Sequence, residues 1–385
     1  MEYSKKSLLT KRVCLSLIFF CYGLSYASWA SRIPDIQKQL HLSDTALGGI
    51  LLGMPVGSFL TIMFSGYLVS KIGSRRVITF ASLIYGSLLI CVGYSQTVWQ
   101  LAISLFFFGS AGNMLNIAIN TQAISLESHY TKRIMSSFHG MWSVAGLIAA
   151  AVGSLLMAKA FPVNQHFLYI SIFAMLTFAI CARLLLAEKG KPTQAVRFAL
   201  PGKYFLILGF ISFCSMMCQG AMFDWSGVYF DKVVKVERVN IGLGYTAFMI
   251  AMTSTRFISD WLTHHFGFKK IIAFCGLITC VGLITATQFP YLWPATIGLF
   301  LVGMGVSPVV PLVFSEAGKS KIMAPGIAIA TVSTLGFVGL LIGPPMIGFI
   351  AGLTSLKISF IVLSVVGLAV TFGAYSFQPN NTDHK

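Results

Sequence analysis

Charge is what this sequence has least of. Only 10% of its 385 residues are Asp, Glu, Lys or Arg, and acids are scarcest, with 11 against 27 basic residues. A water-soluble domain of this size needs far more charge to cover its surface, so a soluble globular protein is excluded. Also missing are a CxxC pair or zinc spacing among the eight cysteines, a GxxxxGK[ST] loop for ATP, an HExxH zinc site and a Ser/Lys dyad. These gaps argue against a structural metal, direct use of ATP and intramembrane catalysis. His264-His265 is an adjacent pair, the wrong spacing for zinc. No cofactor is expected. A sensor would need an appended signalling domain, and no loop is long enough to be one.

What is there in abundance is hydrophobic sequence, 56% of the chain. It comes in runs of about 20 residues, the length that crosses roughly 30 Å of hydrocarbon. No ten-residue alternation occurs, so a membrane β-barrel is not expected. The runs predict twelve spans at residues 12–31, 45–69, 76–95, 98–125, 134–158, 166–187, 204–230, 241–263, 269–288, 291–315, 323–351 and 355–377. The N-terminal run is too long for a signal-peptide core and reads as an uncleaved first helix. The net charge of +16 does not imply nucleic acid, because the basic residues sit in short joints and not on one face. Most of them fall on one side of the predicted topology, among them Lys5, Arg12, Lys71, Arg75, Arg76, Lys132, Arg133, Lys269, Lys270 and Lys319. The positive-inside rule then places both termini in the cytoplasm of a bacterium, with the chain in its inner membrane.

The longest polar stretch, Glu188 to Lys203, is basic, holds two prolines and reads as a linker. It divides the chain into a six-helix bundle at 1–187, a cytoplasmic linker at 188–203 and a second six-helix bundle with a short tail at 204–385. The halves echo one another. Ala27-Ser28-Trp29-Ala30-Ser31 answers to Phe223-Asp224-Trp225-Ser226-Gly227, Gly109-Ser110-Ala111-Gly112 to Gly303-Met304-Gly305, and Gly73-Ser74-Arg75-Arg76 to Gly267-Phe268-Lys269-Lys270. Several echoes in matching order indicate duplication. Pro308, Pro311, Pro344 and Pro345 should bend spans 10 and 11.

The stretch from Gly66 through Gly73 to Arg75-Arg76 resembles the signature loop between helices 2 and 3 of the major facilitator superfamily. Ser70 stands where that pattern has an acid, which removes half of the loop's charge lock. Arg256 and Asp260 with Gly267 resemble the matching element of the second half. Trp29-Ala-Ser-Arg32-Ile-Pro34-Asp35, Phe138-His139-Gly140, Asp224-Trp225-Ser226 and Gly343-Pro344-Pro345 resemble the branch holding YbjJ-like and rhizopine-transport, MosC-like proteins, akin to fucose–proton symporters. The resemblance implies an all-α fold of two pseudo-symmetric six-helix bundles and a secondary transporter. Fucose symporters carry a helix-4 carboxylate four residues before an Asn; Asn116 occupies that place before Asn120.

A solute site is expected between the halves near the bilayer midplane. Asn113, Asn116 and Asn120 share one helical face, and amides suit hydroxyl-rich solutes because each offers donors and an acceptor. The competing role is helix–helix hydrogen bonding. Tyr22, Tyr26, Trp29, His139, Trp142, Gln219 and Trp225 are further candidates for the walls, against the interfacial-belt alternative for the aromatics. Asp224 is the most isolated acid inside a span, a candidate proton carrier. Arg32, at similar depth, is its expected partner in an outward gate, against a purely structural ion pair. Arg256 and Asp260, one turn apart near the inner end of span 8, are expected to pair within their helix or to serve with Gly66, Gly73 and Arg75 in gating. The expected partners are a small polar solute (sugar or cyclitol-like), protons and the lipid bilayer, with no nucleic acid, around a monomeric protein. A drug or metabolite exporter is the alternative.

Overall fold

The computed structural model describes residues 5–130, 134–187, 202–318 and 325–377. The expected linker (apart from its last residues), the C-terminal tail, Lys132, Arg133, Lys319, Lys321 and the side chain of Asp260 lie outside the described residues. Among the described residues the chain forms fifteen α-helices: α1 (Lys5–Ser31), α2 (Ile33–Gln39), α3 (Asp44–Leu51), α4 (Gly53–Ile72), α5 (Ser74–Gly93), α6 (Val98–Glu127), α7 (Met135–Ala158), α8 (Val163–Arg183), α9 (Lys203–Tyr229), α10 (Leu243–Phe266), α11 (Phe268–Gln288), α12 (Leu292–Val306), α13 (Val309–Gly318), α14 (Pro325–Leu353) and α15 (Leu356–Ser376). With the seven-residue α2 left out and α3–α4 and α12–α13 each counted as one span, these are the twelve expected. Eleven of the twelve are long and apolar enough to cross a bilayer. The other, α10, has the length but carries Arg256, Asp260 and two histidines.

Two breaks have plain causes. Pro308 separates α12 from α13, as expected of a residue with no amide N–H to give. Pro55 opens the first turn of α4, and its missing N–H accounts for the break after α3 that the single span 45–69 did not foresee. Pro344 and Pro345 interrupt the hydrogen-bond ladder of α14 without ending it. Local caps set other boundaries. Thr97 and Gln100 form a reciprocal capping box at the start of α6, and Ser355 accepts from the amide of Ile358 at the start of α15.

The helices gather into two compact units, Met1–His41 with Ile50–Gln194, and Leu42–Gly49 with Ala195–Lys385. In the first, α1 packs on α7 and α8, α4 on α6, and α5 on α6 and α8. In the second, α9 packs on α14 and α15, α10 on α12, and α11 on α12 and α15. Each helix of one unit thus has the neighbours of its counterpart in the other, which is the pattern of a duplicated bundle. The second unit also takes in the short segment from the first half. Asp44 forms an ion pair with Lys232, Thr45 lies against Gly352, and Gly48 meets Gly348.

Large apolar side chains project outward from both units, including Leu83 and Ile84 of α5, Leu176 and Ile180 of α8, and Val365 and Phe372 of α15. Water would not tolerate such a surface, whereas hydrocarbon does.

The glycine echoes have structural causes. Gly73 and Gly267, each between two helices, have φ of +86° and +82°, a backbone conformation that side chains disfavour. Gly109 of α6 lies against the backbone of Met54 in α4, and Gly303 of α12 against Phe248 of α10 in the same way. A Cβ at either glycine would overlap a backbone carbonyl, so helices four and two of each unit meet only because these positions are bare.

Candidate functional site

In the first unit, α1, α5, α6 and α7 bring together aromatic rings and free amide groups. Asn113, Asn116 and Asn120 are all half-buried on α6. Asn113 reaches α4 and donates to Ser65 Oγ at 3.4 Å. Asn120 donates to both the backbone oxygen and Oδ1 of Asn116, each at 2.8 Å. This orients the pair and leaves the Asn116 NH2 and the Asn120 Oδ1 without a partner among the described residues. One donor and one acceptor thus remain on neighbouring turns of one face. Gln122, off that face, is buried and fixed to Ser74 and Leu186, a structural role.

One turn before Asn116, the bare Cα of Gly112 lets the Tyr85 ring close in, with Tyr22 beside it. Tyr22 and Tyr85 have ring centroids 5.4 Å apart, and Tyr85 stacks on Phe108 at 4.2 Å. The Tyr85 hydroxyl is buried with no hydrogen-bond partner. Tyr26, one turn after Tyr22 on α1, lies 6.2 Å from Trp142 of α7, whose ring covers Gly23. His139, on the exposed side of α7, meets Phe19 edge-on at 5.5 Å. Tyr85 carried no mark in the sequence. A lone tyrosine in an apolar run acquires meaning only from the helices packed around it.

Trp29 does not join this wall. It is 1% exposed. Trp225 is likewise buried and donates its indole N–H to the Pro344 carbonyl at 3.0 Å.

Arg32 also has partners other than expected. It is 1% exposed, donates from Nε to Asp35 Oδ2 at 2.7 Å and from Nη2 to the Phe161 carbonyl at 2.6 Å. Arg32-Ile-Pro34-Asp35 is therefore a buried clasp inside the first unit. Pro34 starts α2, and that turn of helix carries Asp35 back to Arg32. The clasp ties the end of α1 to the α7–α8 joint.

In the second unit Asp224 is half-buried on α9, as is Gln219. Asp224 lies within electrostatic reach of Tyr245 of α10. Tyr245 is 2% exposed and its hydroxyl has no hydrogen-bond partner. Phe223 packs edge-on against Tyr245 and Phe248, at 6.3 and 5.8 Å. Farther along the same face of α10 stands Arg256, half-buried near the middle of the helix and not at its inner end as expected. Thr253, also buried, has an unpartnered hydroxyl. The expected pair of Arg256 with Asp260 lies outside the described residues. Of the loop residues, Gly73 is fixed by its backbone conformation, whereas a Cβ on Gly66 would meet open space. Arg75 donates to the Arg183 carbonyl. Cys214 belongs to the apolar core of the second unit, and Cys218 bonds the Leu363 carbonyl.

Two duplicated six-helix bundles with apolar outward-facing side chains define a multi-pass membrane protein. Residues 15–321 match the Major Facilitator Superfamily. The chain is 33% identical to an uncharacterized MFS-type transporter of Yersinia pestis, covering 95% of both chains. It is 30% identical to the membrane protein MosC of Rhizobium meliloti, over 94% of this chain and 88% of that one. Among solved structures, its fold is similar to a mutant of the nucleoside transporter NupG, with a TM-score of 0.79 at 12% identity, covering 95% and 99% of the two chains. A bacterial homologue of the lysosomal transporter Spinster, solved inward-facing and unoccupied, gives 0.77 at 12% identity over 97% and 98%. This chain belongs to the major facilitator superfamily, and it is a transporter, not an enzyme.

Proposed function

We propose that this protein is a proton-coupled secondary transporter of a small, hydroxyl-rich solute, sugar-like or cyclitol-like, working by alternating access. The observation that carries the reading is the Asn116–Asn120 pair, with an unspent donor and acceptor one turn from Gly112, where the Tyr85 and Tyr22 rings close in. Hydroxyls take both kinds of hydrogen bond, and the C–H faces of a ring pack on aromatics. On this reading 1–187 and 204–385 are the two moving halves, joined by 188–203. Both termini are cytoplasmic at the inner membrane, because the basic joints favour that side. Asp224, a half-buried acid inside a span and near the Tyr245 hydroxyl, is the proton carrier.

The test is a thermal-shift and uptake screen of the purified protein, in detergent and in proteoliposomes, at two pH values. The panel holds sugars, cyclitols, nitrate and cationic drugs, since nitrate transporters and multidrug resistance proteins are also among the relatives. The expected result is saturable stabilisation by at least one polyol. Asn116→Ala should weaken it about tenfold, equivalent to about 1.4 kcal/mol. Stabilisation by nitrate or drugs and by no polyol overturns the substrate class. Uptake by Asp224→Asn with unchanged rate and pH dependence overturns the coupling role.

A further inference from the structure

At the N-terminal end of α1 a cavity of about 340 Å³ opens between α1, α5 and α8 of the first unit. Ser7, Thr10 and Lys11 of α1, Arg75 of α5, and Arg183 and Leu185 at the end of α8 line it. Three cations therefore converge on one small space, and no acidic side chain lines it among the described residues. Part of this charge has a local use. Lys11 donates to the Leu184 carbonyl at 3.2 Å and Arg75 to the Arg183 carbonyl, which caps the negative end of α8. A helix end amounts to only about half a charge, so capping does not require three cations. Arg75 also holds five N–H donors in a fork, and the Arg183 carbonyl uses one of them.

We propose that this pocket binds a phosphate group. Guanidinium forks match phosphate oxygens two at a time, and lysine adds a point charge. Phosphate chemistry reaches this site from two sources, a lipid headgroup or a soluble phosphate. The surroundings favour the lipid. Leu9, Val13 and Leu17 recur every fourth residue along α1 beside the pocket and are all exposed, as are Ile180 of α8 and Leu184 just after it. That greasy track gives acyl chains a path directly below a charged headgroup. The volume also exceeds what a bare phosphate ion fills. Under the orientation proposed above, the pocket lies at the cytoplasmic interface, where basic clefts between helices meet anionic lipid.

The test uses the full-length protein and three variants, Arg183→Gln, the double variant Lys11→Gln with Arg183→Gln, and Lys11→Arg as the charge-conserving control. None of these positions is assigned to solute transport. Native mass spectrometry from neutral detergent measures binding of phosphatidylglycerol and, separately, of phosphatidylcholine. A parallel thermal-shift titration uses inorganic phosphate. The expected result is saturable phosphatidylglycerol binding that falls at least tenfold in the double variant, falls less in Arg183→Gln and survives in Lys11→Arg, with phosphatidylcholine binding unchanged. A saturable shift with inorganic phosphate that the double variant lacks supports the phosphate site and assigns it to a soluble ligand. Equal phosphatidylglycerol binding by all proteins with no phosphate shift overturns the proposal. So does parallel loss of both lipids, which reports a damaged fold. Solute uptake is not a readout here, so failure of this proposal leaves the transport reading standing.

Discussion

Arg32 shows what one buried cation demands. Its guanidinium is sealed from solvent and held by Asp35 and the Phe161 carbonyl. Removing the carboxylate strands a charge, a loss of about 3 kcal/mol or more in comparable buried pairs. Asp35→Ala should therefore unfold at markedly lower temperature in detergent, and an unchanged melting temperature would show that the clasp is dispensable. Trp225 is a milder case. Trp225→Phe keeps most of the ring but loses the bond to Pro344, with an expected cost of about 1 kcal/mol in the same assay. Both residues are legible in the sequence, but the contacts they make are not. Their spacing from the helix starts gave depth, but the partners come from Asp35 three residues on and from a helix more than a hundred residues away. Asn116 and Asn120 were legible because a shared face follows from helical period alone. Tyr85 and Tyr245 were not, because nothing local distinguishes a tyrosine with an unmet hydroxyl from one that packs.

At the scale of the helix, duplication is written most clearly in glycine. Gly73 and Gly267 repeat a backbone conformation, and Gly109 and Gly303 repeat a close helix contact. Gly109→Val and Gly303→Val should each cost about 1–3 kcal/mol or more through overpacking. Gly66→Ala, which meets open space, should be neutral or stabilising, since alanine favours the helix by up to about 1 kcal/mol. Thermal unfolding of the three variants side by side checks this, and equal losses in all three would contradict the packing account. The twelve spans were readable from apolar runs because bilayer thickness sets their length. The break at Leu52 was not, since Pro55 sits inside a run whose composition reads as one span.

At the scale of the molecule, exposed leucine, isoleucine and phenylalanine on the outer helices make lipid the protein's solvent. The duplicated packing then gives two units, but the chain does not divide between them at one point. It passes from the first to the second at His41–Leu42 and returns at Gly49–Ile50, before the second unit takes over for good with α9. A protease site engineered between residues 190 and 200 should leave two fragments that still elute together in mild detergent, because the N-terminal fragment delivers residues 42–49 to the second unit. Separation of the fragments on nicking would show that this segment contributes no holding force. Co-expressed halves should behave likewise, while a C-terminal half made alone would leave Gly348 and Gly352 uncovered. The shared segment makes the second bundle a template that the first must reach during synthesis. Residues 42–49 leave the ribosome well before their docking helix α14 exists, so they wait in the membrane for most of translation, and the order of assembly is set by the last helices made.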